Sequence, residues 1–420
     1  MLNRSHPPKL KSIDGIEFIS PQKYGINEHV KLYHMKEVTN ETARFDLYFD
    51  AGKSSASNGI PEFVNGLLLS GTKQKTSIQI NNTINGLGGF YTSGISLENS
   101  VVSMFCLREN IATLFETVLD AVNNVSFIQK EVDEFLSDRK QQHKINLEKV
   151  SYLAHFGFQK QLFANNEAYA NTLKASDFDS VITEQLIKFH SKHYLNGLLK
   201  VVVVGNIDTN TIQDMAAVCK SIAKKDPVVH AKTLIHLPSQ KSLSKKDSLQ
   251  AAIRLGRIVF NKKEEKDYLD FLILNTILGD YFGSRLMKNI REDKGYTYGI
   301  GSNLVELQET GYFVIATEVG TNLVAQTLDE IQKEITILQE ELISYEELEL
   351  VRNYMLGQLL KNADGPYAMM DLFISAEMHG KELEIYNRAI TAIQNITPER
   401  IRDLARKYLN WSDMCIYTAG

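Results

Sequence analysis

Residues 182–196 read ITEQLIKFHSKHYLN, and residues 396–410 read ITPERIRDLARKYLN. The offset is 214 residues, and each segment runs into an apolar strand, at 201–204 and at 414–417. Upstream, Gly88-Gly89-Phe90-Tyr91 precedes a strand expected at 101–107, just as Gly295-Tyr296-Thr297-Tyr298 precedes one expected at 311–317. There the offset is near 210. Self-similarity of this kind outranks any element-by-element reading, because one structural plan must satisfy both copies. A chain of 420 residues has room for two such copies, each about 210 residues long.

Each copy mixes strands with helices. Ala43, Phe45, Leu47, Phe49 and Ala51 alternate with Thr42, Arg44, Asp46, Tyr48 and Asp50, the period of a half-buried strand. Its counterpart is Ala251, Ile253 and Leu255 alternating with Ala252, Arg254 and Gly256. Ile111, Leu114, Val118 and Val122 keep helical spacing, as do Leu328, Ile331, Ile335, Leu338 and Leu342. Strands followed by a run of helices imply an α+β fold: in each copy, a mixed, mostly antiparallel sheet with helices packed on one face. Pro227, Pro238, six lysines and four serines make 223–248 read as a solvated linker. The expected domains are therefore 1–222 and 249–420.

A net charge of −5, from 46 Lys plus Arg against 51 Asp plus Glu, argues against a nucleic-acid partner, which needs a basic surface. The linker lysines lack the interleaved aromatics of a strand-binding groove. No stretch approaches the length of a membrane span, and no secretory signal is visible, so a cytoplasmic protein is expected. Cys106, Cys219 and Cys415 are odd in number and far apart, which fits buried small hydrophobes rather than a disulfide framework. Neither a Gly-x-Ser-x-Gly elbow nor a phosphate-cradling loop is present. The acidic residues at 340–341 and 346–347 read as helix surface and turn.

Residues 59–72, Gly-Ile-Pro-Glu-Phe-Val-Asn-Gly-Leu-Leu-Leu-Ser-Gly-Thr, carry the most specific signal. This segment resembles the inverted zinc motif region of the pitrilysin, insulin-degrading enzyme and mitochondrial processing peptidase family. There the order is Gly, two residues, His, two residues, Glu, His, then an apolar stretch ending in Gly-Thr. Phe49-Asp50-Ala51-Gly52, Gly88-Gly89 and Arg291-Glu292-Asp293-Lys294-Gly295-Tyr296-Thr297-Tyr298 match the family's other landmarks. The resemblance spans about residue 25 to the end and includes the duplication.

The zinc chemistry does not carry over. The family's two histidines sit one helical turn apart, on one face, where both rings reach one metal. Those positions are Glu62 and Gly66 here, and the catalytic Glu position is Asn65, whose amide is no proton acceptor. The third ligand falls at Gln142, beside His143. No metal or cofactor is therefore expected in this chain. His190 and His193 lack a third ligand nearby and read as an ordinary solvated helix face.

What the resemblance does retain is an Arg and a Tyr seven residues apart, Arg291 and Tyr298, which in active assemblies face the zinc of another domain. Guanidinium and phenol are good donors to an oxygen that gains negative charge. The segment after the double Gly, 90–96, departs from the family's usual Asn-Ala pair, although an edge strand can pair with a peptide through its backbone alone. The implied role is the non-catalytic subunit of a heterodimeric zinc metallopeptidase. A zinc-bearing homologous subunit and a peptide are the expected partners, with zinc in the partner subunit. The alternative is a structural or peptide-binding scaffold of the same fold.

Overall fold

The computed structural model describes residues 13–36, 39–226, 234 and 237–420. Two sheets organise them. In the first half, β1 (Gln22–Gly25), β2 (Lys31–Met35), β3 (Thr42–Phe49), β4 (Phe90–Ile95), β5 (Ser100–Leu107) and β6 (Leu198–Val204) lie in the order β1-β2-β6-β3-β5-β4. In the second, β7 (Ser239–Leu243), β8 (Gln250–Val259), β9 (Ile300–Glu306), β10 (Gly311–Gly320) and β11 (Cys415–Ala419) lie in the order β7-β11-β8-β10-β9. Apart from β1 the two orders superimpose. Each contains one parallel pair, β2 with β6 and β7 with β11, among antiparallel neighbours. The repeated segments at 182–196 and 396–410 form equivalent helices, Thr183–His193 and Pro398–Tyr408, each feeding the strand that pairs in parallel. The fold is the α+β duplication that the repeat implied.

One face of each sheet packs on helices of its own half. Phe45, Leu47, Phe49, Met104, Val201 and Val203 meet the helix Ile111–Asn124 and its neighbours, and Leu255, Phe313 and Ile315 meet Glu265–Leu278 and Pro398–Tyr408. Fully burying each such side chain stabilises by roughly 1.5–3 kcal/mol.

The other face differs from the expectation of a half-buried strand. Arg44 and Asp46 point away from the first core, yet they are buried, because the helix Gly365–Glu377 of the second half lies over them. Met370, Phe373 and Ile374 of that helix pack on Tyr33, Met35, Val202 and Val204. Arg44 closes the contact with ion pairs to Asp46 and Asp371. The arrangement is reciprocal. Helix Val150–Leu162 of the first half covers the matching face of the second sheet, where Val150 and Ala154 meet Ala252 and Ala419, and Phe158 meets Tyr312. Polar strand residues that alternation assigns to solvent are thus under a helix supplied by the other copy.

Two further expectations change. Of the linker read at 223–248, residues 227–233, 235 and 236 lie outside the described residues, but Ser239–Leu243 is the edge strand β7. Its side chains are mostly exposed, so hydrophobic alternation carried no signal for it. Leu342 lies past the end of the helix Val324–Glu340 and is exposed. All three cysteines are buried, as their spacing suggested. Among the described residues no helix is long and apolar enough to cross a membrane.

The crossing helix leaves no room at Gly157, where an added Cβ would stand 2.1 Å from the Tyr417 ring. Gly157→Ala is therefore expected to cost about 1–3 kcal/mol by overpacking. A lowered denaturation midpoint, restored when Tyr417→Ser is combined with it, is the expected result; an unchanged midpoint would show that the helix can move away.

Candidate functional site

The helix Ile60–Leu67 begins at Gly59, whose φ of 70° is left-handed, and has Pro in its first turn. Phe63, Val64 and Leu67 are buried in the first core, which fixes the helix and turns Glu62 and Gly66 outward, one turn apart. They face the long helix Gln129–Leu147 and strand β4 across a cleft of about 310 Å³. The positions singled out by resemblance, Glu62, Asn65, Gly66 and Gln142, all line it, together with His143.

The donors are wrong for zinc. Gly66 has no side chain, and a Cβ built there would lie 2.4 Å from Cζ of Phe135, whose ring occupies the place a second ligand would need. Asn65 is consumed structurally. Its Oδ1 accepts from Ser93 Oγ at 3.2 Å, and its Nδ2 donates to the Gly94 carbonyl and to Tyr194 Oη, both at 3.4 Å. Burial pushes the Tyr194 phenol up to about 12. Gln142 is exposed and bonds to Asn146 at 3.3 Å. His143 is buried, its Nδ1 3.0 Å from Tyr152 Oη and its ring against Phe178. Desolvation lowers the His143 pKa, as expected for a neutral core histidine. Desolvation raises the pKa of Glu62, the only acidic group lining this cleft among the described residues. Among the described residues, no three His, Cys, Asp or Glu side chains are grouped to hold a metal. The residues present do not fit the family's metal.

His190 and His193 do not form a metal pair either, and they are buried against Tyr194 and Phe189 rather than on the solvated face expected of them. His190 Nε2 donates to the Val122 carbonyl at 2.7 Å, and His193 Nδ1 donates to the Asp50 carbonyl at 2.6 Å. Both therefore tie the repeated helix to the elements beside it.

Arg291 and Tyr298 lie elsewhere and do not line the cleft. Arg291 sits in a π-helical stretch, Met287–Asp293, a geometry often found at functional sites. Gly295, with φ of 67°, lets the chain turn out of it. Arg291 stacks on Phe282, 4.6 Å from the ring centroid. Tyr298 is 93% exposed, just ahead of β9, in a loop held by the Thr297 hydroxyl donating to the Glu318 carbonyl at 2.7 Å.

Sequence reasoning missed Phe135 and Arg139, although the signal was available. Phe135, Arg139, Gln142 and Asn146 recur at helical spacing on the cleft side of one helix. Arg139 covers the Phe135 ring at 5.1 Å. Missing an apolar plug is natural when attention goes only to ligand positions.

The pattern described as Insulinase (Peptidase family M16) matches residues 34–174, and that described as Peptidase M16 inactive domain matches residues 180–355. The chain belongs to peptidase family M16. Its relatives in that family include an uncharacterized zinc protease, YmxG, of Bacillus subtilis, 23% identical over 83% of this chain and 85% of the relative. Human mitochondrial-processing peptidase subunit beta is 20% identical over 88% of this chain and 78% of that protein. A probable inactive metalloprotease, YmfF, of Bacillus subtilis is 20% identical over 57% of each. The fold matches a solved peptidase M16 inactive domain from Pseudomonas fluorescens with a TM-score of 0.85, covering 95% of this chain and 98% of that one at 21% identity. This chain is accordingly an M16 protein of the inactive, peptidase-like type.

Steric occupancy and ligand identity separate experimentally. A chain carrying Glu62→His, Asn65→Glu, Gly66→His and Gln142→Glu is expected to bind zinc poorly, and addition of Phe135→Ala is expected to raise affinity at least tenfold by calorimetry. Equal affinities would show that the ring yields freely. Acidification supplies a second test. Burial lowers the pKa of His34, His143, His190 and His193, so the unfolded chain protonates first and stability falls as pH drops below about 6.5. Glu62 and Asp46, raised by burial, act in the opposite sense. Comparison of wild type with His190→Gln isolates the histidine part: the variant should lose less stability between pH 7 and pH 5. An identical slope would contradict a buried neutral His190.

Proposed function

We propose that this chain is the non-catalytic subunit of a heterodimeric zinc metallopeptidase, and that Arg291 and Tyr298 complete the site of a zinc-bearing homologous partner. One observation carries the reading. Arg291 and Tyr298 are both present, Tyr298 exposed and Arg291 half-buried, while the chain's own motif positions are unfit for metal. A guanidinium and a phenol held outside their own subunit's cleft suit a peptide carbonyl bound on another subunit. Their donors would strengthen as that oxygen gains charge. The likeness to a protein named as a subunit of a processing peptidase supports an assembly of more than one chain.

A scaffold or peptide-binding role without hydrolysis is the second reading. It is favoured by β4, an edge strand with Phe90 exposed, which among the described residues has no partner strand on its outer side and suits addition of an extended peptide there. The two readings differ in what the Arg–Tyr pair does. With the purified two-subunit complex, Arg291→Ala or Tyr298→Phe is expected to lower kcat/KM for a peptide by about 100-fold or more, with the complex intact. Full activity of both variants would remove the proposed role and leave the scaffold.

A further inference from the structure

Arg291 differs from most arginines of this protein in how it is held. Arg44, Arg108, Arg257, Arg285, Arg352, Arg388 and Arg400 each pair with a carboxylate. Among the described residues Arg291 has no such partner, although Glu292 and Asp293 follow it in sequence. Glu330, on the neighbouring helix, is taken by Lys294, Lys333 and Asn289. What holds the guanidinium is the face of Phe282 at 4.6 Å, within the range of a cation–π contact. A contact with a ring face consumes no N–H donor, so the guanidinium donors of Arg291 stay available to an outside acceptor.

Phe282 is itself placed with care. It is 62% exposed, an unfavourable position for a phenyl ring with no other task. The residues on either side are anchored. Tyr281 packs on Tyr354 with centroids 4.8 Å apart, Arg285 makes two 2.8 Å bonds to Glu347, and Leu286 is fully buried. A Cβ at Gly283 would lie 2.7 Å from the Tyr281 ring, so a larger residue there would push that ring from its place. The loop is thus fastened to the helix Tyr345–Asn362, with only Phe282 projecting from it to meet Arg291.

We infer that Phe282 is a positioning residue: its ring sets the plane of the Arg291 guanidinium so that the edge donors face a peptide carbonyl oxygen. The role rests on the trans-acting function proposed above. It does not require Phe282 to touch the peptide.

Two measurements test it. In the isolated chain, the Nε–Hε resonance of Arg291, assigned by its loss in Arg291→Lys, should carry a ring-current shift that disappears in Phe282→Leu and persists in Phe282→Tyr. An unchanged resonance in Phe282→Leu overturns the inference. In the complex with its zinc-bearing subunit, Phe282→Leu should lower kcat about tenfold with KM and subunit affinity within twofold, and Phe282→Tyr should restore the rate. Loss of subunit affinity instead would make Phe282 an interface anchor and overturn positioning. If Arg291→Ala abolishes activity while Phe282→Leu does not, only the inference fails. If Arg291→Ala is fully active, the proposed function fails and takes the positioning role with it.

Discussion

Each half of this protein covers the outer face of the other half's sheet with one helix, and most else depends on that exchange. Helix Gly365–Glu377 closes the first sheet over Arg44 and Asp46, and helix Val150–Leu162 closes the second over Ala252 and Tyr417. Further bonds seal the contact: Tyr33 Oη donates to Glu377 at 2.9 Å, and the Gln308 amide donates to Glu98 at 2.9 Å. Each crossing helix covers the central strands of the sheet it meets, while the β5–β4 edge of the first sheet keeps Phe105 and Phe90 exposed. A buried Arg–Asp pair is weak evidence for net stability, because desolvation offsets much of the attraction. Removing one partner would nonetheless leave an uncompensated charge beneath a helix, so the pair specifies how the halves register.

The same exchange positions both surfaces that bear on function. Helix Gln129–Leu147, which walls the cleft with Phe135 and Gln142, runs almost directly into the crossing helix Val150–Leu162. Helix Tyr345–Asn362, which fastens the loop of Tyr281 and Arg285, runs into the other crossing helix, Gly365–Glu377. The fold therefore keeps the framework of a metal-bearing half without its donors. It also keeps the framework that presents Arg291 and Tyr298. Arg291 and Tyr298 lie outside the cleft, as the proposed role requires.

Much of this was legible in the sequence because duplication constrains strongly. The repeat at 182–196 and 396–410 located equivalent helices and strands, and the family resemblance grouped Glu62, Asn65, Gly66 and Gln142, which do line one cleft. What escaped was non-local. Alternation in 42–51 states which side chains face the nearer core, but not that Arg44 and Asp46 are covered by residues more than 300 positions away. The strand Ser239–Leu243 is polar on its exposed edge and was hidden in a lysine- and serine-rich stretch. The plug at Phe135 followed helical spacing, yet only the three-dimensional approach to Gly66 reveals its effect.

The central claim, a metal-unfit subunit completing a zinc-bearing one, is tested most directly by native mass spectrometry of the tagged chain purified from its source cells, with zinc quantified in the same sample. The account predicts a one-to-one complex with a homologue carrying the His-x-x-Glu-His motif, one zinc per pair, and none bound by this chain alone. A homodimer without zinc, or one zinc per isolated chain, would contradict it.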